Sequence, residues 1–162
     1  LTPSEASFAI VVCIFFFLSS DRWISAGSAR THAGARPLSH RPQGGVMSYT
    51  RQMLDTYPRT VTVDATVLAA AVDAIRDCAQ ACVADTDADL NEQNLAEMVK
   101  CIRLCLNCTD VCTATGGILS RLAEYDADTT RPLLESCVAI CKSCGDECER
   151  HAPHYAHCRV CA

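Results

Sequence analysis

From about residue 64 onward, apolar side chains recur at intervals of three and four residues, the period of a helix with one buried face. Gly and Pro are sparse inside these periodic stretches while Ala, Leu, Glu and Arg are plentiful, which favours helices over strands. The first helix is predicted from about Asp64 to Thr86, closed by an acidic turn over Asp85 to Asn91. Asp89 followed by Glu92 has the spacing of a capping box, and it predicts a second helix reaching about Leu122, with Gly116 and Gly117 loosening its last turns. A third helix is expected from near Thr130, with Pro132 in its first turn, to a point before Pro153. A fourth begins near His154. Short connections make consecutive helices antiparallel neighbours, so the fold class is all-α, an antiparallel up-down four-helix bundle.

Cysteines occupy the apolar stripe. Cys101, Cys105, Cys108 and Cys112 are spaced 4, 3 and 4, and Cys137, Cys141, Cys144 and Cys148 repeat that spacing. At about 100° per residue each set falls within roughly 60° of arc, so its thiols form one seam. Met98, Ile102, Leu104, Val111, Val138 and Ile140 flank the seams, whereas Arg103, Asn107, Asp110, Ser143 and Asp146 lie opposite. The first helix carries the rhythm as Val67, Ala71, Ala74 and Cys78, with Cys82 one turn on. The fourth opens with His154, Cys158 and Cys161; its next place would be position 165, past Ala162, so this helix is expected to be truncated at the C-terminus.

Cysteines thus fall late in helix one, early in helix two, late in helix three and early in helix four. In an antiparallel bundle those places share one end. The opposite end continues the stripe as Val67, Leu68, Leu119, Leu122, Leu133 and Leu134, an expected apolar plug. His151, His154 and His157 should rim the thiol-lined mouth, together with Asp85, Asp87 and Asp89.

Residues 1–46 differ in character. The apolar block 8–18, FAIVVCIFFFL, is too short for the roughly 20 residues of a spanning helix. It has the length of a signal-peptide core, yet Glu5 and no Lys or Arg precede it. Residues 30–46 are rich in Gly, Pro, Arg, His and Ser without periodicity, the composition of disorder. These 46 residues therefore read as a disordered or non-native extension, with a poor secretory signal and an anchor as alternatives, and Cys13 as a small hydrophobe. Residues 47–162 form the cysteine-rich domain. The chain of 162 residues carries a formal charge of −5, which offers no basic surface for nucleic acid.

Of 13 cysteines, 12 follow Met47, a density that signals disulfides or metal. Residues i and i+4 of a straight helix hold their Cβ atoms about 6 Å apart, against the roughly 3.5–4.5 Å of a disulfide, so bridges could form only between helices. A disulfide-stapled secreted bundle is one alternative. Zinc or an iron–sulfur centre using the CxxC pairs Cys105/Cys108, Cys141/Cys144 and Cys158/Cys161 is another, including a redox role, but it leaves Cys78, Cys82, Cys101, Cys112, Cys137 and Cys148 poorly used. A continuous tube of thiols suits Cu(I), a soft ion that accepts two or three sulfurs and tolerates bridging. No catalytic residue is assigned and the chain is not expected to be an enzyme: a reactive CxxC sits exposed at a helix N-terminus in a fold with strands.

With CIRLCLNCTDVC, CVAICKSCGDEC and HYAHCRVC in place, residues 47–162 resemble the four-helix-bundle copper storage proteins of bacteria. The resemblance implies multiple Cu(I) ions per chain held by Cys78, Cys82, Cys101, Cys105, Cys108, Cys112, Cys137, Cys141, Cys144, Cys148, Cys158 and Cys161, with His154 and His157 as entry ligands. His151 is equally well read as a solvated residue at a helix C-terminus. The resemblance further implies a homotetramer, for which Leu95, Val99 and Leu106 are a candidate contact. A start at Met47 would match the cytoplasmic members of the family, whereas a working signal would match the exported ones.

Overall fold

The computed structural model describes residues 47–162 apart from 62 and 124. The expectations for residues 1–46, the apolar block and Cys13 fall outside the described residues. Among these, every regular element is a helix: α1 (Tyr49–Asp55), α2 (Ala65–Leu90), α3 (Leu95–Leu119), α4 (Ala127–His151) and α5 (Ala156–Cys161). Asp64 caps α2, its carboxylate accepting from the backbone N–H groups of Thr66 and Val67 at 2.8 and 3.1 Å. Asp126 does the same for α4 through Asp128 and Thr129. Pro132 lies inside α4 within its second turn, where the amide it lacks costs one intrahelical bond.

Three boundaries differ from the sequence expectation. The acidic segment does not end the first long helix: α2 continues through Asp85, Thr86 and Asp89 to Leu90. Asp89 therefore caps nothing, and α3 begins at Leu95 after Asn94, which makes no side-chain capping bond. Asp and Thr are modest helix formers that favour caps and turns, but here their side chains are buried against the other helices, and tertiary packing overrides the preference. The short last helix starts at Ala156 rather than His154, after a turn in which the N–H groups of His154 and Tyr155 both bond the His151 carbonyl. α1 has no counterpart in the sequence reading. Ser48 caps it through the Arg51 N–H, and Arg51 reaches Thr66 at the start of α2.

The helices run antiparallel. Cys78 meets Cys108 while Cys105 meets Asp85, and Cys101 meets Cys148 while Cys112 meets Cys137, so position rises on one helix as it falls on its neighbour. The bundle is thus α2, α3, α4 and the two-turn α5, which covers only the end that holds Cys158 and Cys161. At the opposite end Leu68, Val72, Ile75, Leu119 and Leu134 are buried, with Val67, Leu122 and, from the α1 side, Leu54 and Val63 packed on them. That is the expected plug, extended by two residues of α2. Leu133 is only half-buried. Arg103, Asn107, Asp110, Ser143 and Asp146 are exposed, as their positions on the helical wheel require. No helix among the described residues is long and apolar enough to cross a membrane.

Candidate metal centre

Because the 4-3-4 spacing keeps each row on one face, antiparallel packing interleaves the rows from α2, α3 and α4, and α5 closes the end. All twelve described cysteines are free thiols, nine of them buried and Cys78, Cys141 and Cys161 half-buried. Eleven of the sulfurs stand 3.4–4.0 Å from a neighbouring sulfur, in two clusters stacked as a column along the bundle axis, and Cys158 lies beside Asp89 at the end of the second. Two sulfurs each about 2.3 Å from a shared cation lie at most about 4.6 Å apart, so neighbouring thiols can bridge one ion without moving the helices. The column has natural subdivisions. Cys78, Cys108, Cys112 and Cys141 form one four-thiol group, and Cys82, Cys105, Cys144 and Cys161 form a second, with all ligand atoms of each within 4.8 Å of one another. Cys137 joins the first through Cys112 at 3.8 Å. Cys148 extends the second through Cys105 at 3.7 Å and reaches Cys101 at 3.6 Å.

At the mouth the donors change. Asp85 Oδ2 accepts from Cys105 at 3.4 Å and Cys148 at 3.5 Å, with Cys101 at 4.0 Å. Asp89 Oδ1 accepts from Cys158 at 3.5 Å and lies 3.1 Å from His157 Nε2. Both aspartates are buried, and each retains one oxygen, Asp85 Oδ1 and Asp89 Oδ2, with no hydrogen-bond partner. They join two further groups: Asp85 with Cys105, Cys148 and Cys161, and Asp85 and Asp89 with Cys101 and Cys158. From sequence alone these aspartates fall on a turn at the rim, with no ligand role. A signal was present, since Cys78, Cys82, Asp85 and Asp89 are themselves spaced 4, 3 and 4, a third row with carboxylates in its last two places.

Of the two histidines assigned to entry, only His157 is brought to the group, through Asp89. His154 is exposed on the preceding turn and joins none of the donor groups found among the described residues. Tyr155 lies between the rings of His151 and His157, with centroids 6.2 and 5.7 Å away. Beside them Glu147, nearly fully buried, accepts from Lys100 of α3 at 2.6 Å and Arg150 at 2.7 Å, with His151 Nε2 at 3.5 Å. Burial would raise its carboxyl, but the Lys100 bond and the charges of Arg150, Lys100 and His151 hold it below the usual range.

The electrostatics follow from crowding. Burial, followed by the negative charges of Cys161, Cys148 and Asp89, pushes the Asp85 carboxyl up to about 8. Burial and the Cys101 thiolate push Asp89 up to about 6. Burial and the charges of Asp85 and Asp89 drive the Cys158 thiol up. Within the column, adjacent thiols cannot all ionise, so protons are shared. The neighbouring Cys112 and Cys141 thiols hold Cys108 low, while Cys112 itself is held high by Cys108 and Cys137. Donation from Cys101 and Cys105 brings Cys148 down to about 4. A cation entering the column replaces these shared protons, so binding releases them.

The comparisons agree with this chemistry. The chain is similar to a copper storage protein of Streptomyces lividans whose structure carries 10 copper equivalents, with 47% identity and a TM-score of 0.68 over 70% of this chain and 86% of that one. A second structure, described as a cytosolic copper storage protein from the same organism with five coppers, matches at 52% identity and a TM-score of 0.56 over 56% of this chain and 76% of that one. The cysteine-rich protein YhjQ of Bacillus subtilis (strain 168) is 30% identical over 93 residues, which are 57% of this chain and 81% of that protein. The sequence profile of the copper storage proteins matches residues 64–162, more than half of the chain, and the chain therefore belongs to the copper storage protein family.

Proposed function

We propose that the protein stores and buffers Cu(I), several ions per chain, on the core thiolates Cys78, Cys82, Cys101, Cys105, Cys108, Cys112, Cys137, Cys141, Cys144, Cys148, Cys158 and Cys161. The observation that carries the reading is the packing of eleven free thiols into two buried clusters with sulfurs 3.4–4.0 Å apart. A single zinc or iron–sulfur centre would need four clustered ligands and leave the others as an oddly polar core, whereas bridging Cu(I) uses all of them. The free state of the described cysteines supports storage over disulfide stapling. His157 stands at the mouth as an entry group, with His154 on the exposed turn as a first contact for incoming metal. The role is sequestration rather than catalysis. Following the Streptomyces relative described as cytosolic, the protein works in the cytoplasm. It assembles as a homotetramer, with Leu95, Val99 and Leu106, all exposed on α3, as the contact.

Titration of the reduced, oxygen-free protein with Cu(I) against a competing chelator tests this. Storage requires saturation at many ions per chain, together with 12 titratable thiols in residues 47–162 before loading. Saturation at one or two ions, or few free thiols at the start, would sink it.

A further inference from the structure

The mouth offers a donor set unlike the rest of the column. Asp85, Asp89, Cys101 and Cys158 are all buried and bring two carboxylates and two thiols within 4.8 Å of one another. Asp85 comes from the rhythm of α2, as does Asp89 one turn later; Cys101 faces them from α3 and Cys158 from α5. We propose that these four residues form a site for a divalent cation of the borderline class, Zn(II) or Co(II), separate in metal preference from the all-thiol groups below it.

Three observations support the assignment. First, carboxylate oxygen is a hard donor that Cu(I) binds poorly, whereas Zn(II) and Co(II) accept mixed sulfur and oxygen shells. Second, a tetrahedral ion with sulfurs at about 2.3 Å and oxygens at about 2.1 Å sets its sulfur–oxygen edges near 3.6 Å. Here Cys158 Sγ lies 3.5 Å from Asp89 Oδ1, and Cys101 Sγ lies 4.0 Å from Asp85 Oδ2. Third, each carboxylate keeps an oxygen that is buried and has no hydrogen-bond partner. Two such buried carboxylates are costly, and a doubly charged ion on Asp85 Oδ2 and Asp89 Oδ1 would offset their charge, reaching the orphaned Asp85 Oδ1 and Asp89 Oδ2 where a carboxylate binds through both oxygens. His157, bonded to Asp89 Oδ1, is placed to fix the orientation of that carboxylate. An ion held here would occupy Cys101 and Cys158 and draw on Asp85, so it would stand across the mouth.

The test uses the full chain, reduced and oxygen-free, given only enough Cu(I) to fill the two four-thiol groups, so that Cys101 and Cys158 are left open to a second metal, and then exposed to Co(II) or Zn(II). One Co(II) per chain should remain after desalting, with the visible bands of a tetrahedral ion. X-ray absorption of the Zn(II) form should show about two sulfurs and two oxygens. Asp85→Asn/Asp89→Asn should weaken Co(II) binding at least about tenfold. Complete loss of Co(II) from the copper-loaded protein, a four-sulfur zinc shell, or undiminished binding by a double variant that folds as the parent does would overturn the proposal. Should that variant fail to fold, the zinc shell of the unmodified protein decides. A low Cu(I) capacity in the loading step would instead count against copper storage, and the zinc shell of the copper-free protein would then decide on the site.

Discussion

The two ends of this bundle are built on one rhythm and do opposite things with it. At the closed end the stripe positions carry Leu68, Val72, Ile75, Leu119 and Leu134, which fill space with branched hydrocarbon. At the end that α5 covers, the same stripe carries sulfur and then carboxylate. A buried leucine makes tens of dispersion contacts, while a cysteine fills little more volume than alanine plus one atom. The contrast teaches that the fold's stability and its cargo capacity are assigned to different halves of the same helices, so mutations should separate them.

The sharpest separation is expected on α4, where Leu134 and Cys137 are both buried and lie one turn apart. Leu134→Ala should cost about 2–5 kcal/mol, measured by chemical denaturation of the metal-free protein, while the number of Cu(I) ions per folded chain stays the same. A fall in stoichiometry would show that the plug also shapes the column. Cys137→Ala should do the reverse: a stability loss of about 1 kcal/mol or less, with a measurable drop in bound Cu(I). Were the stability losses equal, the two ends would not differ as described.

A smaller effect should appear with pH, from the end that α5 covers. The folded Asp85 carboxyl sits at about 8 and that of Asp89 at about 6, both above the usual value near 4. A group raised in the folded state stabilises the fold fully below its unfolded pKa and loses that contribution as pH rises through the folded value. Asp85 and Asp89 should therefore contribute stability that is lost from about pH 4 to 8, opposite in sign to thiols held low such as Cys148, so the readout is the difference: in thermal melts of the metal-free protein Asp85→Asn should remove the Asp85 part of that loss. Copper affinity should move the other way and rise with pH, because binding expels protons. An Asp85→Asn variant whose melting temperature follows the parent's with the same pH slope across this range would contradict the assignment.

Much of the bundle was legible because sulfur marked the buried face twice with identical spacing. The rows of α3 and α4 could be placed on one seam, and the convergence of Cys78, Cys82, Cys158 and Cys161 with them followed from antiparallel order. The errors share a cause. In sequence Asp85 and Asp89 look like turn residues because aspartate near a run of polar residues ordinarily is one; only packing against the other helices turns them inward. α1 escaped notice because seven residues with little periodicity form a helix only where Leu54 finds a core to pack on. His154 and His157 looked equivalent three residues apart, but the turn after α4 delays the last helix, leaving one ring outside and the other on Asp89.

Glu147 has a mechanical consequence for filling. By gripping Lys100 from α3 and Arg150 and His151 from its own helix, it ties α3 to α4 at the rim, Glu147 standing next to Cys148 in sequence and Lys100 next to Cys101. A pair of helices buttoned together there resists parting as ions enter, so filling by rotation of individual thiols is favoured between α3 and α4, and the loaded and empty proteins should keep the same spacing of these two helices.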